Sequence, residues 1–118
     1  MEQDFRNLVA WQKAIAFVTE VYRATQSFPS EEKFGLTSQL RRAAVSIPCN
    51  IAEGQGRSSR GEFRQFLGHA KGSTCEVETQ LIIAQNLGYL KEPEALLERL
   101  HEVARLLNGL LNSLTTDN

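Results

Sequence analysis

With 118 residues, 42% of them hydrophobic and 23% charged, the chain has the composition of one folded domain (residues 1–118), which argues against disorder. A net charge of −1 and a pI of about 6.1 exclude a uniformly basic surface, so a polyanion would meet a local patch. No apolar run reaches the ~18–20 residues of a membrane span, and the opening "MEQDFRNLVAW" lacks a signal-peptide pattern, so no membrane partner is expected.

The first predicted helix covers residues 7–27. Leu8, Trp11, Ile15, Val18 and Tyr22 recur at three-four spacing on one face, and Ala10, Ala14, Phe17 and Val21 form a second stripe beside it. The second stripe is expected to remain as spare apolar surface once one core face is satisfied. "SFPSEEKFG" then ends the helix, because the residue before a proline is pushed out of the helical region and Gly35 permits a turn. A second helix is predicted over residues 36–53, with Leu40, Ala44, Ile47 and Ile51 facing the core. Pro48 lies inside it and cannot donate to the Ala44 carbonyl, so a kink near residues 44–48 is expected, with Asn50 and Glu53 as candidate polar fasteners.

Gly54-Gln55-Gly56 reads as a helix stop and a turn. Ser59 and Glu62 have capping-box spacing at the mouth of a third helix, which runs through Phe63, Phe66, Leu67, Ala70, Val77, Leu81 and Ala84 to Leu87. Gly88 suits a left-handed stop. Pro93 opens the fourth helix, where its missing N–H costs little, and Leu96, Leu100, Val103, Leu107, Leu110 and Leu114 continue it. No strand pattern occurs. Four helices with short links predict an all-α, antiparallel up-down-up-down four-helix bundle. Gly68 and Gly72, one turn apart in the third helix, are costly there unless another backbone approaches closely. With the wide apolar arc of helix one and the neighbouring Ile82 and Ile83, they point to a homo-oligomer.

Catalytic patterns are sparse. His69 and His101 lie on different helices without ligand spacing, and Glu76 and Glu78 point to different faces. Glu98 and His101 match the ExxH spacing of di-iron bundles once, with no counterpart on helix three. Gly54–Ser59 lacks the third glycine and the lysine of nucleotide loops, and no strand precedes it. No enzyme activity, metal or cofactor is expected. Cys49 and Cys75 form no CxxC pair and read as buried or half-buried thiols of a cytoplasmic protein.

Charge is the more informative signal. Residues 37–71 carry six Lys/Arg against two Asp/Glu, whereas residues 72–118 carry three against seven. Arg41, Arg42, Arg57, Arg60, Arg64 and Lys71 are therefore the candidate nucleic-acid contacts. Arg57 and Arg60 stand at the mouth of helix three, where free N–H groups favour a phosphate. For Arg41 and Arg42 the competing reading is ion pairing with Glu94, Glu98 and Glu102 of helix four or with another subunit.

Long stretches of the chain resemble one known family: "FRNLVAWQKA" (residues 5–14), "FPSEEKFGLTSQLRRAAVSIPCNIAEGQGR" (28–57), "EFRQFLGHAKGST" (62–74) and "ETQLIIAQNLGYL" (78–90). The chain looks like the four-helix-bundle proteins encoded by intervening sequences within 23S ribosomal RNA genes, a bacterial family. The resemblance implies a ring-like homopentamer without enzyme activity. It also implies kinship with the accessory variability determinants of diversity-generating retroelements, similar pentamers that bind nucleic acid and a reverse transcriptase. The expected partners are thus further copies of the chain, RNA or DNA, and a nucleic-acid-processing protein. A pI of about 6.1 departs from the basic accessory proteins. The competing function is a protein–protein scaffold that does not itself touch nucleic acid.

Overall fold

The computed structural model describes residues 4–115. A single 3-10 turn, Phe5–Asn7, leads into α1 (Val9–Thr25). A second such turn, Ser30–Glu32, leads into α2 (Leu36–Gln55), which is followed by α3 (Arg60–Asn86) and α4 (Glu94–Thr115). Among the described residues there is no strand, and the four helices make an all-α bundle extending 48 × 21 × 19 Å.

Local chemistry explains the boundaries. The Asp4 carboxylate accepts the Arg6 backbone N–H at 2.9 Å and its guanidinium at 2.7 Å, closing the first turn. The Arg6 side chain, and then its backbone N–H, hold the Asp4 carboxyl down at about 2. Ser59 caps α3 by accepting the Glu62 N–H at 3.1 Å, while its own hydroxyl donates to the Glu62 carboxylate at 3.2 Å. The glutamate thus reaches back to the serine side chain instead of to an N–H. Gly88 ends α3 with φ of 81°, the left-handed value expected. Tyr89 N–H bonds Ala84 O at 2.9 Å and Gly88 N–H bonds Gln85 O at 3.0 Å, the paired bonds of a Schellman stop. Pro93 is buried, and its carbonyl accepts the Leu97 N–H at 2.9 Å.

Each helix packs against two others: α1 and α3 both touch α2 and α4, and the pairs α1/α3 and α2/α4 are diagonal. Residues at the start of α1 and near the end of α4 line one hollow of about 420 Å³. Tyr89, just after α3, donates to Glu32, just before α2, at 3.0 Å, and its ring lies 5.6 Å from that of Phe28. These contacts fit an up-down-up-down order.

Leu40, Ala44, Ile47 and Ile51 of α2 are fully buried, as their spacing requires. They meet Leu67, Ala70, Val77, Leu81 and Ala84 of α3 and Leu100, Val103 and Leu107 of α4 in one core. α2 is continuous through the buried Pro48. Around that proline, polar side chains take up nearby carbonyls: Ser46 Oγ bonds Ala43 O at 2.6 Å, and Asn50 Nδ2 bonds Ser46 O at 2.8 Å.

Three readings of the sequence change. In α1 it is Ala10, Ala14, Phe17 and Val21 that fill the core. The Trp11–Tyr22 stripe lies to one side, with Trp11 and Val18 half-buried and Ile15 and Tyr22 exposed. The alanines let neighbouring helices approach the axis, a position that Trp and Tyr are too bulky to take. Gly54 is not the stop of α2, because the helix runs on to Gln55 and Gly54 is buried within its last turn. A Cβ there would stand 2.8 Å from Phe66 Cβ and 3.2 Å from the Phe63 carbonyl, so the glycine serves close approach of α3. Finally, Cys49 and Cys75 are exposed free thiols on outward faces of α2 and α3, not buried ones.

Candidate nucleic-acid interface

The six basic candidates fall into three settings. Arg41 lies between α1 and α2: Nε donates to Thr25 Oγ1 at 2.8 Å, Nη2 to Tyr22 O at 3.4 Å, and the guanidinium sits 4.5 Å over the Tyr22 ring. It fastens two helices. The ion pair considered for it with α4 is not formed, because α2 and α4 are diagonal; Glu102 of α4 instead stands 3.6 Å from Lys13 of α1.

Arg57 and Arg60 line a hollow of about 500 Å³ at the α2–α3 link, together with Ser58, Ser59 and Phe63. Arg57 is engaged on both sides, through an ion pair to Glu53 at 2.8 Å and stacking 4.9 Å over the Phe66 ring. Arg60 also has an interaction of its own. The mouth of α3 is therefore less open to a phosphate than the sequence implies.

Arg42, Arg64 and Lys71 are exposed and have no ion-pair partner among the described residues. Arg64 and Lys71 are seven residues apart, about 20° from alignment on the helix, so they share one strip of α3. The next position of that strip is Glu78, which meets His101 of α4 at 3.1 Å, so Arg64 and Lys71 run along the α4 side. Arg42 lies on the other side of α3, in a groove between α2 and α3. That groove, about 590 Å³, is lined by Phe34, Ser38, Gln39, Arg42, Ala43, Ser46, Ser73 and Glu76. The Ser46 and Ser73 hydroxyls bond each other across it at 2.6 Å. The six cations thus do not converge on one patch of a single chain.

Sequence reasoning missed Phe34, the most exposed large apolar side chain among the described residues, at 88%. Its signal was its absence from every periodic stripe, since an aromatic between a proline turn and Gly35 serves no helix face.

Between Arg42 on one side and Arg64 and Lys71 on the other, the outward face of α3 is open. A Cβ added at Gly61, Gly68 or Gly72 would meet no atom within 4 Å, and Ile82, Ile83 and Leu87 are exposed further along. The close approach that Gly68 and Gly72 permit is therefore not used within the chain. Among the described residues no helix is long and apolar enough to cross a membrane, and no His, Cys, Asp or Glu group has the arrangement to hold a metal ion.

A four-helix bundle with an open glycine face on α3, set between Arg42 of α2 on one side and Arg64 and Lys71 of α3 on the other, is the class these observations define. The model of the 23S rRNA-intervening sequence protein family matches residues 6–109, and the chain belongs to that family. No curated protein matches the chain.

Proposed function

We propose that the protein is a non-enzymatic, cytoplasmic homo-oligomer that binds RNA or DNA, or a nucleoprotein assembly, through α2 and α3. The observation that carries the binding reading is the set Arg42, Arg64 and Lys71, the exposed cations of the basic segment that have no ion-pair partner among the described residues, in a chain of net charge −1. Such side chains gain most from phosphate, because they give up no internal partner to reach it. Arg57 and Arg60 stand nearby as secondary contacts; Arg41 contributes through the shape of the α1–α2 pair.

The open glycine face of α3 and its exposed isoleucines support self-association, and five copies is the number the family resemblance implies. Repetition of a weak cationic face around a ring raises avidity without any new contact. Filter binding of a mixed RNA and DNA pool at ~50 and ~200 mM salt tests the reading, with affinity expected to fall steeply as salt rises. Binding that ignores salt, or none at low salt, overturns it. Sedimentation that returns one 13.2 kDa protomer at micromolar concentration overturns the oligomer.

The acidic balance of residues 72–118 favours a second reading, a scaffold for another polypeptide. Partners retained after nuclease treatment would support it over the first.

A further inference from the structure

We infer that the groove between α2 and α3 is a subsite for an unpaired base of a single strand, with Phe34 as its stacking platform and Arg42 as its phosphate contact. The inference rests on the nucleic-acid reading and narrows it to a strand type and a place.

Phe34 is 88% exposed, yet the segment that carries it is tied down. Gly35 N–H bonds Glu32 O at 2.9 Å, Leu36 N–H bonds the Glu32 carboxylate at 3.0 Å, and that carboxylate also holds the Tyr89 hydroxyl at 3.0 Å. A ring held in water by an ordered turn serves no purpose in the core of its own chain. Lys33 places its ammonium 5.5 Å from the ring centroid, and Arg42 lines the same groove as the ring. An aromatic surface flanked by two cations is the arrangement that binds single strands: the base stacks, and the backbone runs past the charges.

The groove walls are polar and suit a nucleotide. At about 590 Å³ the space lies within the ~300–1,000 Å³ typical of small-ligand sites. Gln39 offers a donor and an acceptor to a base edge. Glu76 lines the groove but forms no ion pair with Arg42, so the guanidinium keeps its donors. As the one carboxylate of the lining, Glu76 repels phosphate and so confines the backbone to the Lys33 and Arg42 side. A duplex keeps its internal bases stacked on each other and has none to offer Phe34. Strand type is therefore the discriminating property.

The test uses the full chain with labelled ~12-nucleotide single strands of RNA and of DNA and the matching duplexes, titrated at ~50 mM salt. Single strands are expected to bind more tightly than duplexes. Phe34→Ala is expected to weaken single-strand binding by about tenfold and to leave duplex binding unchanged. Because Trp11 is the single native tryptophan, Phe34→Trp in a Trp11→Phe background reports the ring directly. Its emission should be quenched on saturation, with affinity retained. Comparing the RNA and DNA strands distinguishes the two sources of the same stacking chemistry. Equal affinity for single strands and duplexes, with Phe34→Ala without effect, overturns the subsite and leaves the broader reading standing. Salt-dependent binding of no nucleic acid at all overturns both. Dissociation of the oligomer by Phe34→Ala, with strand binding unchanged, assigns the ring to a protein contact and also overturns the subsite.

Discussion

Gly54 and Gly68 are both glycines inside helices, and their surroundings give them opposite roles. At Gly54 an alanine gains about 1 kcal/mol of helix propensity but forces apart Phe66 and the Phe63 backbone, a cost of ~1–3 kcal/mol. Gly54→Ala is therefore expected to lower unfolding stability, read as a smaller midpoint in urea at unchanged slope. Tyr89 supplies a second residue-scale expectation. Its bond to the Glu32 carboxylate, then burial, raise the phenol above its ordinary value of 10.0. A raised folded value means that the contribution is complete below pH ~10 and is lost as pH climbs through the folded value. Tyr89→Phe should then lower the thermal midpoint at pH 8, and the gap from the parent should close at higher pH. Neither role was visible in the sequence. The spacing of Gly54 from Phe63 and Phe66 acquires meaning only after the chain has turned at Gly56, and the Glu32–Tyr89 pair joins two links far apart in sequence.

At the level of elements, periodicity and capping were legible and the choice of core face was not. Leu40, Ala44, Ile47 and Ile51 repeat along one side of α2 without a rival stripe, so spacing alone located that core. α1 offers two stripes, and the choice depends on how near its neighbours come, which Ala10 and Ala14 decide in three dimensions. α3 shows the converse case, since its glycines read as close-packing residues although its own chain leaves them open. Gly68→Ala and Gly72→Ala should each stabilise an isolated protomer by about 1 kcal/mol through helix propensity. If a second copy covers this face, the same changes weaken self-association. Unfolding of dilute protein beside sedimentation of concentrated protein separates the two effects, and a pair of variants that raises both stability and association would exclude the face as the interface.

For the whole molecule, the clustering of cations along the chain overstated their clustering in space. Helix geometry sends Arg41 to α1, Arg42 to one side of α3, and Arg64 and Lys71 to the other. The charge count therefore located the basic segment, but ion-pair availability decides which members are free to meet phosphate. Arg42→Ala, Arg64→Ala and Lys71→Ala should each reduce the dependence of log affinity on log salt by up to about 0.9 per lost phosphate contact. Arg41→Ala should instead lower the thermal midpoint, because it unties Thr25 and Tyr22 from α2. A salt slope that drops as much for Arg41→Ala as for Arg64→Ala would contradict this division.

The exposed thiols offer a reporter that requires no mutation. Cys75 follows Gly72 by three residues, close to the open face of α3, whereas Cys49 lies on the outward side of α2. A maleimide reagent therefore samples both surfaces in one reaction. If copies assemble through α3, Cys75 is expected to alkylate more slowly than Cys49 as protein concentration rises, with the two rates converging on dilution. Peptide-resolved mass spectrometry of native protein would thus map the contact face by reading two sulfur atoms.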